Sequence, residues 1–343
     1  LARARVPPSD VAPLLPELQL RVPECQGAGE LTMAVAALGR LRVAGGDLVA
    51  KLALQIERRL SADNFHARDL ASVSSAYVRL DYLDATHIAR LTQHAQVTLH
   101  EATPRELCRL VLAAVRARAE GAADLVAASA PLAAGMIKFM SPAELADTAF
   151  AFGHALEAGL GGPPADEGGV GAVQLLLAEV VREAVKSAEH FEAWQLIGVL
   201  HSCARWQLPL SFADIRRVTQ ALQPHCPEFT PAYAGQTLYT FARLLSPQLQ
   251  AGSSAVSAYD ADAAEAMAAA HSLAEPLSTS ICCALETGDE AFAASRAVGH
   301  ALEATFAFHG RNGTNGAWLK MAPALTARLA REPAIDTDTA LKL

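Results

Sequence analysis

Apolar residues recur along this chain with the spacing of amphipathic helices, and a helix-start signal precedes many of them. The clearest stretch is Met140-Ser-Pro-Ala-Glu-Leu-Ala-Asp-Thr-Ala-Phe-Ala-Phe-Gly-His154. Ser141 is suited to cap a helix, the following proline fits the first helical position, and Glu144 completes an S-x-x-E capping box. Met140 and Leu145 have the spacing of a hydrophobic staple. The stretch therefore predicts a helix that begins at residue 142.

The same arrangement returns at a nearly fixed interval. If Leu145 is the anchor, the matching anchors are Leu31, Leu70, Leu107, Leu145, Leu196, Ala234 and Ala291. The intervals are 39, 37, 38, 51, 38 and 57 residues, so four of six lie close to one period. A period of this size is typical of helical hairpins stacked side by side. We therefore predict an all-α fold, an α-solenoid of about seven helical-hairpin repeats of ~38 residues.

The helix pattern and its interruptions divide the chain. First helices of the hairpins are predicted near 28–43, 66–81, 104–118, 142–158, 192–206, 231–245 and 288–308. Other helices are predicted near 47–60, 84–99, 122–138, 170–188, 211–222, 260–274 and 317–331, with a short segment at 277–286. Residues 1–27 are interpreted as a Pro-rich N-terminal arm, extended over 1–24, and 332–343 as a C-terminal tail. The repeat domain then covers 28–331, with insertions at 159–169 and 246–259.

Composition and charge restrict the function. The chain is 52% hydrophobic but only 6% aromatic, which suits closely packed helices rich in alanine. No uninterrupted apolar run reaches the length of a membrane span, so we expect no membrane contact. Residues 1–120 carry 15 Lys and Arg against 13 Asp and Glu, and the remainder carries 13 against 23. This balance disfavours RNA binding over the whole surface, and six scattered cysteines favour a reducing compartment.

A basic column is the strongest candidate site. Nine residues after each anchor stand Arg40, Arg79, Arg116, His154, Arg205, Arg243 and His300. Nine positions correspond to roughly half a helical turn from the anchor, so these side chains are expected to face away from the core. Stacked helices would align them into a row that meets successive phosphates of RNA, widened by Arg42, Arg109 and Arg118. Alternatively, a cation in the last turn of a helix only offsets the helix dipole.

Enzymatic motifs are missing. The sequence contains no G-x-x-x-x-G-K-[ST], G-x-G-x-x-G, H-E-x-x-H or G-x-S-x-G motif, so we expect no catalytic residue, no cofactor and no small-molecule substrate. His201, Cys203, His225 and Cys226 are candidate zinc ligands by residue type. His201 and Cys203 are two positions apart on a predicted helix and point in different directions, so we expect no metal site.

Three helix starts carry a resemblance to known proteins. Met140-Ser-Pro-Ala-Glu-Leu-Ala, Thr103-Pro-Arg-Glu-Leu and Phe229-Thr-Pro-Ala-Tyr resemble the first helix of the octotricopeptide repeats found in green-algal organelles. The pattern is also similar to the helical repeats of the FAST-kinase and RAP-domain proteins. The resemblance covers roughly residues 28–331.

This resemblance implies a role in organellar gene expression. It favours a lineage-specific structural subunit of the mitochondrial ribosome, in the mitochondrial matrix, with rRNA and ribosomal proteins as partners. Two alternatives stay open: a free trans-acting RNA-binding factor for RNA stability, processing or translation, and a pure protein-protein scaffold. The chloroplast stroma is the alternative location.

Overall fold

The computed structural model of this chain describes residues 11–25, 27–43, 46–61, 65–160, 171–208, 210–251 and 260–287. Within these ranges the regular structure consists of thirteen α-helices and several short 3₁₀ turns, with no strand. The helices are α1 (Leu15–Arg21), α2 (Ala28–Leu41), α3 (Gly46–Arg59), α4 (Ala67–Arg79), α5 (Ala85–Thr98), α6 (Pro104–Arg116), α7 (Ala122–Met136), α8 (Pro142–Glu157), α9 (Ala172–Lys186), α10 (Ala193–Arg205), α11 (Phe212–Leu222), α12 (Pro231–Ala251) and α13 (Asp260–Thr287). The predicted all-α class is confirmed.

The chain divides into two compact units, Leu1–Val180 (unit 1) and Val181–Leu343 (unit 2). In unit 1, α2 packs on α4, α4 on α6, and α6 on α8, while α3, α5 and α7 pack in the same order. In unit 2, α10 packs on α12 and α11 packs on α13. We call the even-numbered helices from α2 to α12 the A helices and the odd-numbered helices from α3 to α13 the B helices. Within each unit, these helices therefore contact their counterparts in the next hairpin.

The A helices begin in the same way. In five of them the side chain at the third helical position accepts a hydrogen bond from the backbone N–H of the N-cap residue, at 2.8–3.5 Å. The accepting residues are Glu30, Asp69, Glu106, Glu144 and Gln195. Each of them stands directly before an anchor. Their capping role explains why this position of the repeat is occupied by Glu, Asp or Gln. At Ser141 the hydroxyl also accepts from the Glu144 N–H at 3.4 Å, which completes the predicted capping box.

The A helices also end alike. Eleven residues after the anchor, Arg42, Asp81, Arg118 and Gln207 adopt left-handed conformations with φ of 51–54°. The next residue then donates its N–H to a carbonyl five positions back, as Val43 does to Leu38 at 3.3 Å. This is a Schellman motif, which satisfies carbonyls that the helix leaves unpaired. Helix α8 runs almost one turn further before Gly159 takes the same role with φ of 74°.

The anchors form the core between A helices. Leu31, Leu70 and Leu107 are fully buried, and Leu145 and Leu196 are 1% exposed. The residue that precedes the N-cap, which is the staple position of Met140, is also buried before α4, α8 and α10, where it is Phe65, Met140 and Phe191. The register of the repeat is thus set by apolar burial at both the anchor and the staple.

Several boundaries differ from the prediction. Residues 11–24 are not extended: Pro16 lies in the first turn of α1, and 3₁₀ turns flank that helix. Helix α12 does not stop near 245 but continues to Ala251. The separate segments predicted at 260–274 and 277–286 form one helix, α13, which passes through Pro276. The helices predicted at 288–308 and 317–331, most of the 159–169 and 246–259 insertions, and the tail lie outside the described residues.

One stretch in the described part of the chain, Ala122–Phe139, is apolar and long enough to span a membrane, contrary to the expectation from the sequence. It forms α7 and the 3₁₀ turn that follows. Helix α7 packs against α5, α6 and α8, and its residues Leu125, Val126 and Ala130 are buried. The apolar residues of this stretch therefore contribute to the helical packing of unit 1.

The close approach of α2 and α4 gives a first prediction. A Cβ at Gly39 would lie 2.8 Å from the Cα and Cβ of Ala76. We expect Gly39→Ala to lower the free energy of unfolding by about 1–3 kcal/mol, because two helix backbones must separate. Urea denaturation followed by circular dichroism measures the change. Gly29→Ala in the same helix is the matched control, since nothing lies within 4 Å of its added Cβ. Equal stability of the two variants would contradict the close contact.

Candidate nucleic-acid interface

The predicted basic column lies mostly on the surface. Arg40, Arg79, Arg116 and Arg205 are exposed in the last turns of α2, α4, α6 and α10. His154 is half-buried in the last turn of α8, where its Nδ1 lies 3.1 Å from Glu157 Oε2. These positions suit both a dipole role and contact with a ligand. His300 lies outside the described residues.

Arg243 is different from the others in the column. Helix α12 continues to Ala251, more than two turns beyond it, so a role at the helix terminus does not apply. Its guanidinium instead lies over the ring of Tyr239, with Cζ 5.9 Å from the ring centroid. That distance permits a cation–π interaction.

Arg42 and Arg118 follow the last turns of α2 and α6. Both are the left-handed residues of the Schellman motifs and both are exposed. They extend the basic surface past the helix ends. Backbone geometry rather than helix periodicity decides where their side chains point, because their φ angles are 52° and 51°.

Helix geometry links the basic column to three further positions. Counted from the anchor, these positions are −2, +2 and +5, and the basic column is at +9. Successive positions are four, three and four residues apart, so all of them lie on one stripe of an α-helix. We call this set the outward stripe. None of its members on the six A helices is buried. Arg68 and Arg105 belong to the stripe and were missed by the sequence analysis, although the same helical spacing could have identified them.

Unit 1 concentrates arginines on this stripe. Helices α4 and α6 carry five of them: Arg68, Arg79, Arg105, Arg109 and Arg116. In the described part of the chain, the guanidinium groups of these five form no ion pair and no side-chain hydrogen bond. A cluster of one sign without direct partners creates a positive potential that attracts polyanions.

Three of these arginines, Arg79, Arg105 and Arg109, are close enough to affect one another. Burial lowers the pKa of Arg109, and the positive charges of Arg105 and Arg79 lower it further. Two carboxylates, Asp147 and Glu106, act in the opposite direction. Because Arg79 lies on α4 and Arg105 and Arg109 lie on α6, the like charges are brought together across a helix–helix contact.

Asp147 is the acidic member of the outward stripe, on α8 of unit 1. Partial desolvation raises the pKa of its carboxyl, the charges of Arg105 and Arg109 lower it, and Glu144 raises it. Asp147 therefore reduces the positive potential beside Arg105 and Arg109. Its protonation would strengthen that potential as the pH falls.

Aromatic side chains replace the arginines on other A helices. On α8, Phe150 is 55% exposed and its ring meets that of His154 edge to face, with centroids 4.6 Å apart. In unit 2, α10 exposes Trp194, and its His201 ring lies 5.9 Å from the Tyr239 ring of α12. Phe150, Trp194 and Tyr239 were not predicted as site residues, whereas His154 was predicted in the basic column and His201 was considered as a zinc ligand. The outward stripe includes all five rings.

Other polar clusters serve the fold. Glu57 on α3 forms an ion pair with Arg90 and lies 2.6 Å from Nδ1 of His87, so it links α3 to α5. The cleft beside this cluster is too narrow for a water molecule. Within the described residues no group of three or more His, Cys, Asp or Glu side chains is arranged to hold a metal ion. The buried Cys203 thiol, whose pKa burial raises to about 12, donates to the Leu208 carbonyl in the α10 terminus.

Comparison with known proteins adds no assignment. The chain matches no protein-family model and no curated protein.

The position of Asp147 gives a second prediction. We expect Asp147→Asn to increase affinity for a polyanion such as heparin or oligo(U) about threefold to fivefold, the effect of removing one nearby charge at the surface. Fluorescence anisotropy at constant salt measures it. As the pH falls, wild-type affinity should approach that of the variant, because protonation of Asp147 removes the same charge.

Asp124→Asn is the matched control, since Asp124 is an exposed carboxylate on the B helix α7. It changes the net charge equally but lies outside the outward stripe. An equal gain in affinity for both variants would show that net charge, rather than the stripe, determines polyanion binding.

Proposed function

We propose that this chain is a non-enzymatic helical-repeat protein that binds RNA through the outward stripe of its A helices. The observation that carries the proposal is the cluster of Arg68, Arg79, Arg105, Arg109 and Arg116, which lacks ion pairs in the described part of the chain. RNA phosphates supply the negative charge that this cluster lacks.

An α-solenoid of about seven repeats is the architecture that we propose for this surface. This proposal is supported by three features that recur in successive A helices: the capping interaction at the helix start, the buried anchor residue, and the left-handed residue at the helix end. The A-to-A and B-to-B packing within each unit is what stacked hairpins require. A regular stack repeats the outward stripe at the interhelical distance of about 9 Å.

The distribution of charge favours RNA over a purely protein partner. The whole chain has a net charge of -8, so the arginine cluster stands out from an acidic background. Burying part of Arg109 among like charges costs folding energy, as the lowered pKa of this residue shows. A polyanion bound along the stripe would compensate that cost.

The cellular role rests on the resemblance to octotricopeptide and FAST-kinase repeats. We propose work in organellar gene expression, as a structural subunit of the mitochondrial ribosome. In that role the stripe would contact rRNA, and the acidic remainder of the surface would contact neighbouring ribosomal proteins.

Removal of charge tests RNA binding. We expect the triple variant Arg79→Gln, Arg105→Gln, Arg109→Gln to bind RNA more weakly and to reduce the slope of log K against log salt by about 2, because each neutralised phosphate of a single strand contributes roughly 0.7 to that slope. Electrophoretic mobility shifts at several salt concentrations measure both quantities.

The control removes the same charge from B helices, through Arg58→Gln, Arg182→Gln and Arg217→Gln, all of which are exposed. It should leave the salt slope unchanged. If the wild-type chain binds no RNA, or if both triple variants behave alike, the proposed interface is wrong.

Sedimentation tests the ribosomal role. In a gradient of organelle lysate we expect the protein to migrate with a ribosomal subunit and to shift to lighter fractions after RNase treatment. The triple variant in the stripe should migrate lighter than wild type without RNase. A light complex that RNase does not affect would instead indicate a protein-protein scaffold.

A further inference from the structure

The outward stripe of unit 2 has a different chemistry from that of unit 1. Where α4 and α6 carry arginines, α10 carries Trp194 and His201 and α12 carries Tyr239. Arg205 and Arg243 stand at the far end of the same two stripes. This part of the surface therefore combines rings with cations.

Trp194 is poorly placed for a role in the core. Its side chain is 54% exposed in the first turn of α10, whereas Gln195, Leu196 and Ile197 directly after it are buried. An indole that projects from a helix in this way offers a flat apolar surface to a ligand. His201 lies seven residues further on the same stripe, about 10 Å along the helix axis.

The second ring is held in place by contacts between α10 and α12. Nδ1 of His201 lies 3.3 Å from Oγ1 of Thr240, and the Thr240 hydroxyl donates to the carbonyl of Gln236 at 2.8 Å. Since that hydroxyl proton is already used, the His201 Nδ1–H is the donor between the two side chains. This bond fixes the imidazole beside the Tyr239 ring, with centroids 5.9 Å apart.

We propose that Trp194, His201 and Tyr239 stack unpaired bases of single-stranded RNA. The proposal rests on the proposed function and specifies what unit 2 recognises. An exposed indole with half-buried rings and cations beside it is an arrangement with which proteins bind single strands, because every base has a face on which to stack. Bases in a duplex are already stacked on one another and cannot reach the rings. Arg205, which is exposed, and Arg243, which lies over Tyr239, add positive charge at the far end of the two stripes, and this charge attracts the phosphates of such a strand.

Substitution of the exposed indole tests the proposal in the full chain. We expect Trp194→Ala to weaken binding of a fluorescent oligo(U) single strand about tenfold, the typical contribution of one stacked base. Binding of a blunt RNA duplex of equal length should not change, and the salt slope should stay the same because no cation is removed. Trp194→Phe, which keeps a ring, should restore most of the affinity. Fluorescence anisotropy measures all of these affinities.

Phe139→Ala is the matched control. Phe139 is 87% exposed but lies in the 3₁₀ turn after α7, off the outward stripe. Its substitution should leave single-strand binding unchanged. A second readout is tryptophan fluorescence, which the single strand should quench in wild type and not in Trp194→Phe.

The outcomes separate this proposal from the one on which it rests. If wild type binds the single strand and Trp194→Ala binds it equally well, stacking is overturned while RNA binding stands. Equal losses for single strand and duplex would also overturn stacking. If wild type binds neither RNA, the proposed function itself fails.

Discussion

Burial of one apolar stripe between successive A helices is the interaction on which the structure depends. A single hairpin cannot remove its anchor leucine from water, but a neighbour on each side can. Leu70 and Leu107, each inside such a stack, are fully buried. Because the same residue is buried in every A helix, the rotation of each helix about its axis is fixed. The opposite side of every helix therefore faces outward in the same way.

The helix ends transmit this regularity to the surface. An A helix starts at a capping interaction directly before the anchor and, in four cases, ends at a left-handed residue eleven positions after it. The length of these A helices and their rotation about the helix axis are therefore both fixed. As a result, the residue nine positions after the anchor falls in the last turn of most A helices. Helix α12 shows what happens without the stop, since it continues past Arg243. There the arginine interacts with the ring of Tyr239 instead of a helix terminus.

Much of this could be predicted from the sequence, and the exceptions have physical reasons. Capping residues and anchors are local signals, so the predicted starts of α2 to α11 agree with the structure to within about two residues. The extended arm predicted over residues 1–24 is wrong for residues 11–24, because proline disfavours helix interiors but suits a first turn, where Pro16 lies. The break predicted at Pro276 is wrong because α13 accommodates this proline between buried Leu273 and Leu277. Arg68 and Arg105 were not predicted because the basic column contains one position per helix, whereas the helical stripe contains three more.

What no sequence pattern could provide is the proximity of charges on different helices. The effect of Arg79 on Arg109 requires α4 and α6 to be in contact, and the shifted pKa of Asp147 requires α8 beside them. Electrostatic attraction to phosphate acts at a distance and does not depend on base pairing. Stacking acts only at contact and requires an accessible base. In the proposed RNA-binding role, the arginines on one set of A helices would supply affinity, and the rings on another set would supply selectivity for unpaired bases. In each unit the buried anchor residues orient the outward stripe, so the arginines and rings of the stripe can be exchanged without altering the core beneath them.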